Sequence, residues 1–256
     1  MKPKTLSLKL IRLELVSILA NWFIPFFGVV FPLLLGILLV STALSDVPEA
    51  FLPEARTGLM LSIIQIIPLA VILLGHSSIY SQELENKIPL RMRLFGFPEH
   101  VTLIAKLIAE FMFMTLAIIL YVVVFFNAFE LIIPSSKAIV VTVVTLYLEG
   151  IICFMLAHGV ANFFRKFGPT YAVTMVIYFA LMMIGGMMGL QSSQLPASLR
   201  FIASMLPFTY VSRDFIDIWK GIPYSYAPFI QSLIVLGSIS AIVLVLSIIF
   251  RKNRAV

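Results

Sequence analysis

The sequence predicts an all-α integral membrane protein: six transmembrane helices with both termini inside, an N-terminal amphipathic interfacial helix, and a re-entrant outer hairpin before the last helix. Three observations lead there. Apolar residues make up 61% of the 256-residue chain and charged residues 12%, with a mean hydropathy of +1.08, which leaves too little polar surface to coat a soluble globule. Five runs contain no Asp, Glu, Lys or Arg: Leu15 to Ser45, Thr57 to Gln82, Phe111 to Phe129, Phe167 to Leu199 and Gly221 to Phe250. Each reaches the roughly 20 residues that a helix needs to cross hydrocarbon about 30 Å thick. Finally, the basic residues segregate. With the N-terminus inside, Lys2, Lys4, Lys9, Arg12, Lys87, Arg91, Arg93, Lys106, Arg165, Lys166, Arg251, Lys252 and Arg254 fall on the cytoplasmic side, 13 of 18, and only Arg56, Lys137, Arg200, Arg213 and Lys220 fall outside. An N-in, C-in arrangement of six spans follows from the positive-inside rule. The net charge of +6 is then a topology signal and an attraction to anionic lipid, not a signature of nucleic-acid binding.

In chain order, Thr5 to Asn21 repeats apolar residues at helical spacing, with Thr5, Lys9 and Arg12 along one polar stripe, and reads as an amphipathic helix on the cytoplasmic interface or an extension of the first span. No cleavable signal is expected, since the first apolar run is too long for one. The spans are placed at about 22–43, 57–81, 101–128, 138–163, 168–190 and 226–250. The fourth is interrupted only by Glu149, whose cost of about 2.5–3.5 kcal/mol is outweighed by flanking apolar residues returning about 0.3–0.6 kcal/mol each. The loops after the first and third spans are short and mildly acidic (Asp46, Glu49, Glu54; Glu130). Between the fifth and sixth spans, Leu195 to Leu206 and Phe208 to Trp219 are apolar but too short to cross. Pro196 and Pro207 punctuate them as two short helices dipping into the outer leaflet. The chain is one domain, 1–256: interfacial helix 1–21, five spans in 22–190, hairpin 191–225, sixth span 226–250 and tail 251–256.

Chemistry-bearing residues are few. There is no G-x-x-x-x-G-K-[ST], H-E-x-x-H, C-x-x-C or G-x-S-x-G motif, so the chain itself has no phosphate loop and no recognised catalytic signature. An intramembrane enzyme would need a pair of catalytic groups that the sequence does not offer. Cys153 is the single cysteine and reads as a packing residue. Glu110 and Glu149 are the intramembrane candidates, because an ionisable group at membrane depth points to function. Each is either an ion-coupling or substrate-binding group or a carboxyl bonded to a neighbouring helix. Glu110 lies one turn past Lys106 and is expected to pair with it. His76 and His158 are expected as interfacial histidines without a metal site. Gly185-Gly186-Met187-Met188-Gly189 has a G-x-x-x-G spacing that suits close helix approach, at a dimer seam, a cavity wall or a contact within one subunit.

The most polar connector, Ser81 to Lys106, gathers eight ionisable side chains (Glu83, Glu85, Lys87, Arg91, Arg93, Glu99, His100, Lys106) between two spans. Pro89 suits a first helical position and Gly96 the residue past a helix end, so Pro89 to Phe95 (Pro89, Leu90, Arg91, Met92, Arg93, Leu94, Phe95) is predicted to form a two-turn helix along the membrane. Leu90 and Leu94 make an apolar ridge at i, i+4, flanked by Arg91 and Arg93. The alternatives are a helix docked into a partner's groove or a solvated loop drawn to lipid.

The order of these parts resembles the membrane subunit of ABC-2 type exporters. ELENKIPLRMRLFGFP, followed by LIAK, is similar to that family's acidic and basic coupling segment. LPASLRFIASMLPFTYVSRDF resembles its outer hairpin, with Pro207, Phe208, Thr209 and Tyr210 as the proline-aromatic-Thr-Tyr element. Where family members often carry a Gly-Thr pair after a Glu, this chain has Pro89-Leu90. The resemblance implies an ATP-driven efflux permease of the bacterial plasma membrane, dimeric with a second copy or a paralogous permease, moving a drug, a peptide or a lipid-like molecule by alternating access. It further implies that Glu83, Glu85 and the 89–95 helix couple to a cytoplasmic ABC ATPase subunit that carries ATP and Mg, that this chain holds no cofactor or metal, and that substrate enters along the second and fifth spans. The competing expectation is an ion-coupled secondary transporter or channel that uses Glu149.

Overall fold

The computed structural model describes residues 4–45, 47–189 and 194–253. Lys2, Asp46, residues 190–193 and the tail from Arg254, which the expectations above also reach, lie outside the described residues. No strand occurs among the described residues, and six helices are long and apolar enough to cross a membrane. In chain order the helices are α1 (Leu8–Ala20), α2 (Phe23–Ala43), α3 (Glu49–Glu85), α4 (Ile88–Leu94), α5 (Glu99–Ala128), α6 (Ser136–Phe164), α7 (Phe167–Ile184), α8 (Ala197–Ala203), α9 (Pro207–Trp219) and α10 (Ala227–Asn253).

Helix α3 is the post of the bundle. Of its most apolar stretch 89% is buried, against 28% for α2, 22% for α7 and 17% for α10. It is enclosed by α2, α5, α6, α7 and α9. The second span therefore has little open surface along this stretch, whereas α7, the fifth, keeps an open face. The low burial of the peripheral helices is what a bilayer requires, since lipid solvates outward Leu, Ile and Val as well as protein does.

Prolines shape α2 and α3. Pro25 and Pro68 cannot donate a backbone hydrogen bond, and each is followed by a π-helical turn, Phe26–Val30 in α2 and Leu69–Leu74 in α3. The wider ladder is explicit: the Phe31 amide donates to the Phe26 carbonyl and the Gly75 amide to the Ala70 carbonyl. Just before Pro68, the Gln65 side-chain amide donates to the Ser62 carbonyl of the preceding turn at 3.1 Å. The two π turns touch. A Cβ on Gly28 would lie 2.6 Å from Val71 Cγ2, so only glycine permits this approach.

The hairpin forms as the prolines predict, with Pro196 capping α8 and Pro207 opening α9. It reaches deep. Gln65 donates to Ser212 Oγ at 3.0 Å and Ser62 Oγ to the Ser212 carbonyl at 3.3 Å, which brings α9 against the middle of α3. At the rim, Trp219 Nε1 donates to the Ile132 carbonyl at 2.7 Å, and the Ile132 amide donates to Thr57 Oγ1 at 3.0 Å, so the α5–α6 connection is tied to both α9 and α3. Nearby, Arg213 Nε and Nη2 donate to the two carboxylate oxygens of Asp214 at 2.5 and 2.9 Å, which raises the guanidinium pKa above its ordinary value. The Tyr224 hydroxyl donates to Asp214 at 3.1 Å, and its pKa is pushed up by partial burial and by that carboxylate.

Helices α6 and α10 pack backbone to backbone. A Cβ on Gly159 would meet the Leu244 backbone nitrogen at 3.0 Å and Cα at 3.1 Å, and these backbone atoms cannot rotate away. Gly168, in α7, has open space. Gly159→Leu is expected to destabilise the bundle by about 1–3 kcal/mol or more through overpacking, read as a lower melting temperature of detergent-purified protein, while Gly168→Ala leaves it within error.

Candidate functional site

The end of the bundle that carries α1 and α4 gathers the polar chemistry. Helix α4 runs Ile88–Leu94, one residue earlier than the expected 89–95 helix, with Pro89 at its start and Gly96 just beyond it at φ +88°. Lys87 enters it in the left-handed region at φ 57°, which turns the chain sharply off the end of α3. None of its residues is fully buried. Met92 is half-buried and packs with Leu10, Val101 and Ala105, which pins α4 to α1 and α5. Leu90 is 56% exposed and Leu94 74%, with Phe95, Arg91 and Arg93 exposed beside them. The predicted apolar ridge is present and uncovered by this chain.

Helix α1 lies along the base of α5. Ser7 caps it, accepting from the Leu10 amide. Its buried line is Leu10, Glu14 and Ile18 at i, i+4 spacing, and Glu14 answers to Lys106. The ammonium of Lys106 donates to Glu14 Oε2 at 2.6 Å and to Glu83 Oε1 at 2.5 Å, all three side chains being largely buried. One lysine thus clamps α1, α3 and α5 together. The expected Lys106–Glu110 pair does not form. Side chains on a helix lean toward its N-terminus, so the long Lys106 stem reaches down to the base of the bundle, away from Glu110. Glu85, the other coupling-segment acid, accepts from the Phe167 amide at 2.8 Å and so caps the start of α7.

Glu110 instead joins a chain that sequence reasoning missed. Its Oε1 is 2.8 Å from His76 Nδ1, and His76 Nε2 is 3.1 Å from His158 Nδ1. His76 is fully buried and His158 nearly so. This corrects the expectation of two interfacial histidines: they sit inside the bundle, linking α3, α5 and α6. Tyr80 stacks over both imidazoles at 5.4 and 4.5 Å between ring centroids, and Phe154 packs on His76 at 4.3 Å. Glu149 lies elsewhere, fully buried on α6, and neither carboxyl oxygen has a hydrogen-bond partner among the described residues. Among those residues no group of His, Cys, Asp and Glu is arranged to hold a metal. The one forewarning in the sequence was two histidines and a glutamate at the same end of three consecutive long spans.

The glycine run does not form a helix-packing stripe. Helix α7 ends at Ile184, Gly185 caps it, and Gly186 and Gly189 take φ +83° and +80°. Three glycines within five residues stop a helix more readily than they extend it. Gly185 still serves a close approach, but within the chain: a Cβ there would lie 2.8 Å from Phe208 Cβ. Of the hairpin element, Pro207 and Phe208 are buried, Thr209 Oγ1 donates to the Ile184 carbonyl at 3.5 Å, and the Tyr210 hydroxyl donates to the Ser204 carbonyl at 3.0 Å. These residues seat the hairpin.

Lys106→Met strands two buried carboxylates and is expected to cost about 3–5 kcal/mol, whereas the triple variant Glu14→Gln, Lys106→Met, Glu83→Gln recovers most of that stability. Thermal unfolding in detergent of the single and triple variants checks both.

No protein-family model matches the chain, and comparison with curated proteins and with solved structures finds no match.

Proposed function

We propose that the chain is the membrane permease of an ATP-driven exporter, with ATP and Mg bound on a separate cytoplasmic ABC ATPase subunit that docks on α4 and the outer face of α1. The observation that carries this reading is the Lys106 clamp beneath an uncovered ridge. Leu90 and Leu94 on α4 and Phe95 just after it are exposed, basic residues flank them, and Met92 and the Glu14–Lys106–Glu83 cluster tie α4 and α1 to α3 and α5. A push on these short helices is delivered to the central post and not dissipated in a loop. Amphipathic helices of this kind engage partners by laying their apolar ridge into a groove. In this reading the basic end is cytoplasmic, the permease is a multi-pass protein of the bacterial plasma membrane, and it works as a dimer with itself or a paralogous permease. The cargo is a hydrophobic or amphipathic molecule such as a drug, a peptide or a lipid. Arg91→Glu with Arg93→Glu is expected to abolish co-purification of an ATPase subunit while insertion stays normal; retention of that subunit at normal stoichiometry overturns the docking assignment.

One observation favours a second reading, ion-coupled transport without ATP: the unpartnered, fully buried carboxyl of Glu149, a placement typical of coupling groups in membrane proteins. Reconstitution of the purified chain alone in liposomes separates the two. The exporter reading expects no uptake of a cationic dye under a proton gradient and no effect of Glu149→Gln beyond stability. Gradient-driven uptake that Glu149→Gln removes establishes the second reading.

A further inference from the structure

The Glu110–His76–His158 chain is a line of hydrogen-bonding atoms whose polarity depends on one proton. A neutral imidazole donates from one nitrogen and accepts at the other. With Glu110 ionised, His76 Nδ1–H donates to its carboxylate, His76 Nε2 accepts from His158 Nδ1–H, and the line holds two protons and one negative charge. One added proton permits a second arrangement at the same heavy-atom positions. The added proton arrives at His158 Nε2, the His158 Nδ1 proton passes to His76 Nε2, and the His76 Nδ1 proton passes to Glu110, so that Glu110 Oε–H now donates to His76 Nδ1 and His76 Nε2–H to His158 Nδ1. Both hydrogen bonds have reversed, and the line, now holding three protons, is neutral.

Two further features bear on this line. Glu110 Oε2 is buried with no hydrogen-bond partner, as suits the spare oxygen of a protonated carboxyl, whereas a carboxylate takes hydrogen bonds at both. The line also sits one side-chain layer beneath a cavity of about 240 Å³. Glu14, Tyr80, Glu83, Met92, Thr102 and Lys106 line that cavity, and the Tyr80 ring rests directly on both imidazoles. The titratable groups facing the line come from three helices at this end: Glu14 from α1, Tyr80 and Glu83 from α3, and Lys106 from α5, one helical turn from Glu110. From α7, Thr174 contributes a hydroxyl, bonded to Ser77. The Lys106 cluster sums to one negative charge, so an ionised Glu110 brings the region to two and a bound proton returns it to one.

We propose that Glu110, His76 and His158 form a one-proton binding site inside the membrane bundle, filled at the His158 end from the cavity between α1, α3, α4 and α5 through the layer made by Tyr80. Proton occupancy reverses the hydrogen bonds that join α3, α5 and α6. The site is independent of what drives transport, and its test uses neither ATP nor cargo.

The experiment is nitrogen-15 NMR of the histidines in the full chain, reconstituted in lipid nanodiscs, between about pH 5 and pH 9, with exposed His100 as the internal reference. The expected result is that His76 and His158 exchange tautomers together in a single transition with uptake of one proton per chain, and that Glu110→Gln removes that joint transition while the His100 signals match those of the native chain. Infrared spectra of the native chain, which need no variant, are expected to gain a protonated-carboxyl band in the same transition. The proposal is overturned if the two buried histidines hold one tautomer throughout, if they titrate at separate midpoints, or if the carboxyl band is insensitive to pH.

Discussion

Helix α3 is enclosed by protein along nearly all of its apolar length, and in a bilayer that enclosure has to come from packing, because lipid would cover the same side chains equally well. The structure supplies the packing through small residues and side-chain hydrogen bonds: Gly28 against the π turn of α3, Gly75 of α3 against Ile24, Gly150 beneath Ile72, and Ser62 and Gln65 bonded to Ser212. Removing these close approaches would open gaps around a helix with no lipid-facing surface of its own. The peripheral helices α2, α7 and α10 are held by the contacts that they make with the enclosed helix and with α6.

The same constraint concentrates polar chemistry at one end. Once α3 is enclosed, its polar turns from His76 to Glu85 meet partners from α1, α5, α6 and α7 instead of water. Each is provided for separately: His76 by Glu110 and His158, Ser77 by Thr174, Glu83 by Lys106, Glu85 by the start of α7. A buried lysine shared by two acids contributes little net stability against an apolar alternative. Its consequence is geometric, holding α1 in one position over α5.

Features written locally in the sequence were legible there. Charge-free runs located five of the six long helices and a run broken only by Glu149 located the other, Pro89 and Gly96 bounded α4, and Pro196 and Pro207 bounded the two hairpin helices. What the sequence could not show depends on which helices pack side by side. His76 and Glu110 are 34 residues apart and His76 and His158 are 82; only bundle geometry unites them. The Lys106–Glu110 spacing invited a local pair, yet both side chains found better partners on neighbouring helices. Glu14 carried a readable signal, an acid midway along the line Leu10–Glu14–Ile18, which the polar stripe of Thr5, Lys9 and Arg12 obscured. The Gly185–Gly189 spacing read as a packing stripe only while the run was taken to be helical.

The touching π turns of α2 and α3 hold one more residue per turn than the helix on either side. Returning such a turn to α geometry expels that residue and rotates everything beyond it by about 100°. Because the two turns are adjacent, such a slip in one helix changes the surface against which the other is wedged. The two halves of each helix therefore meet at a joint whose register fixes how far one half is turned relative to the other.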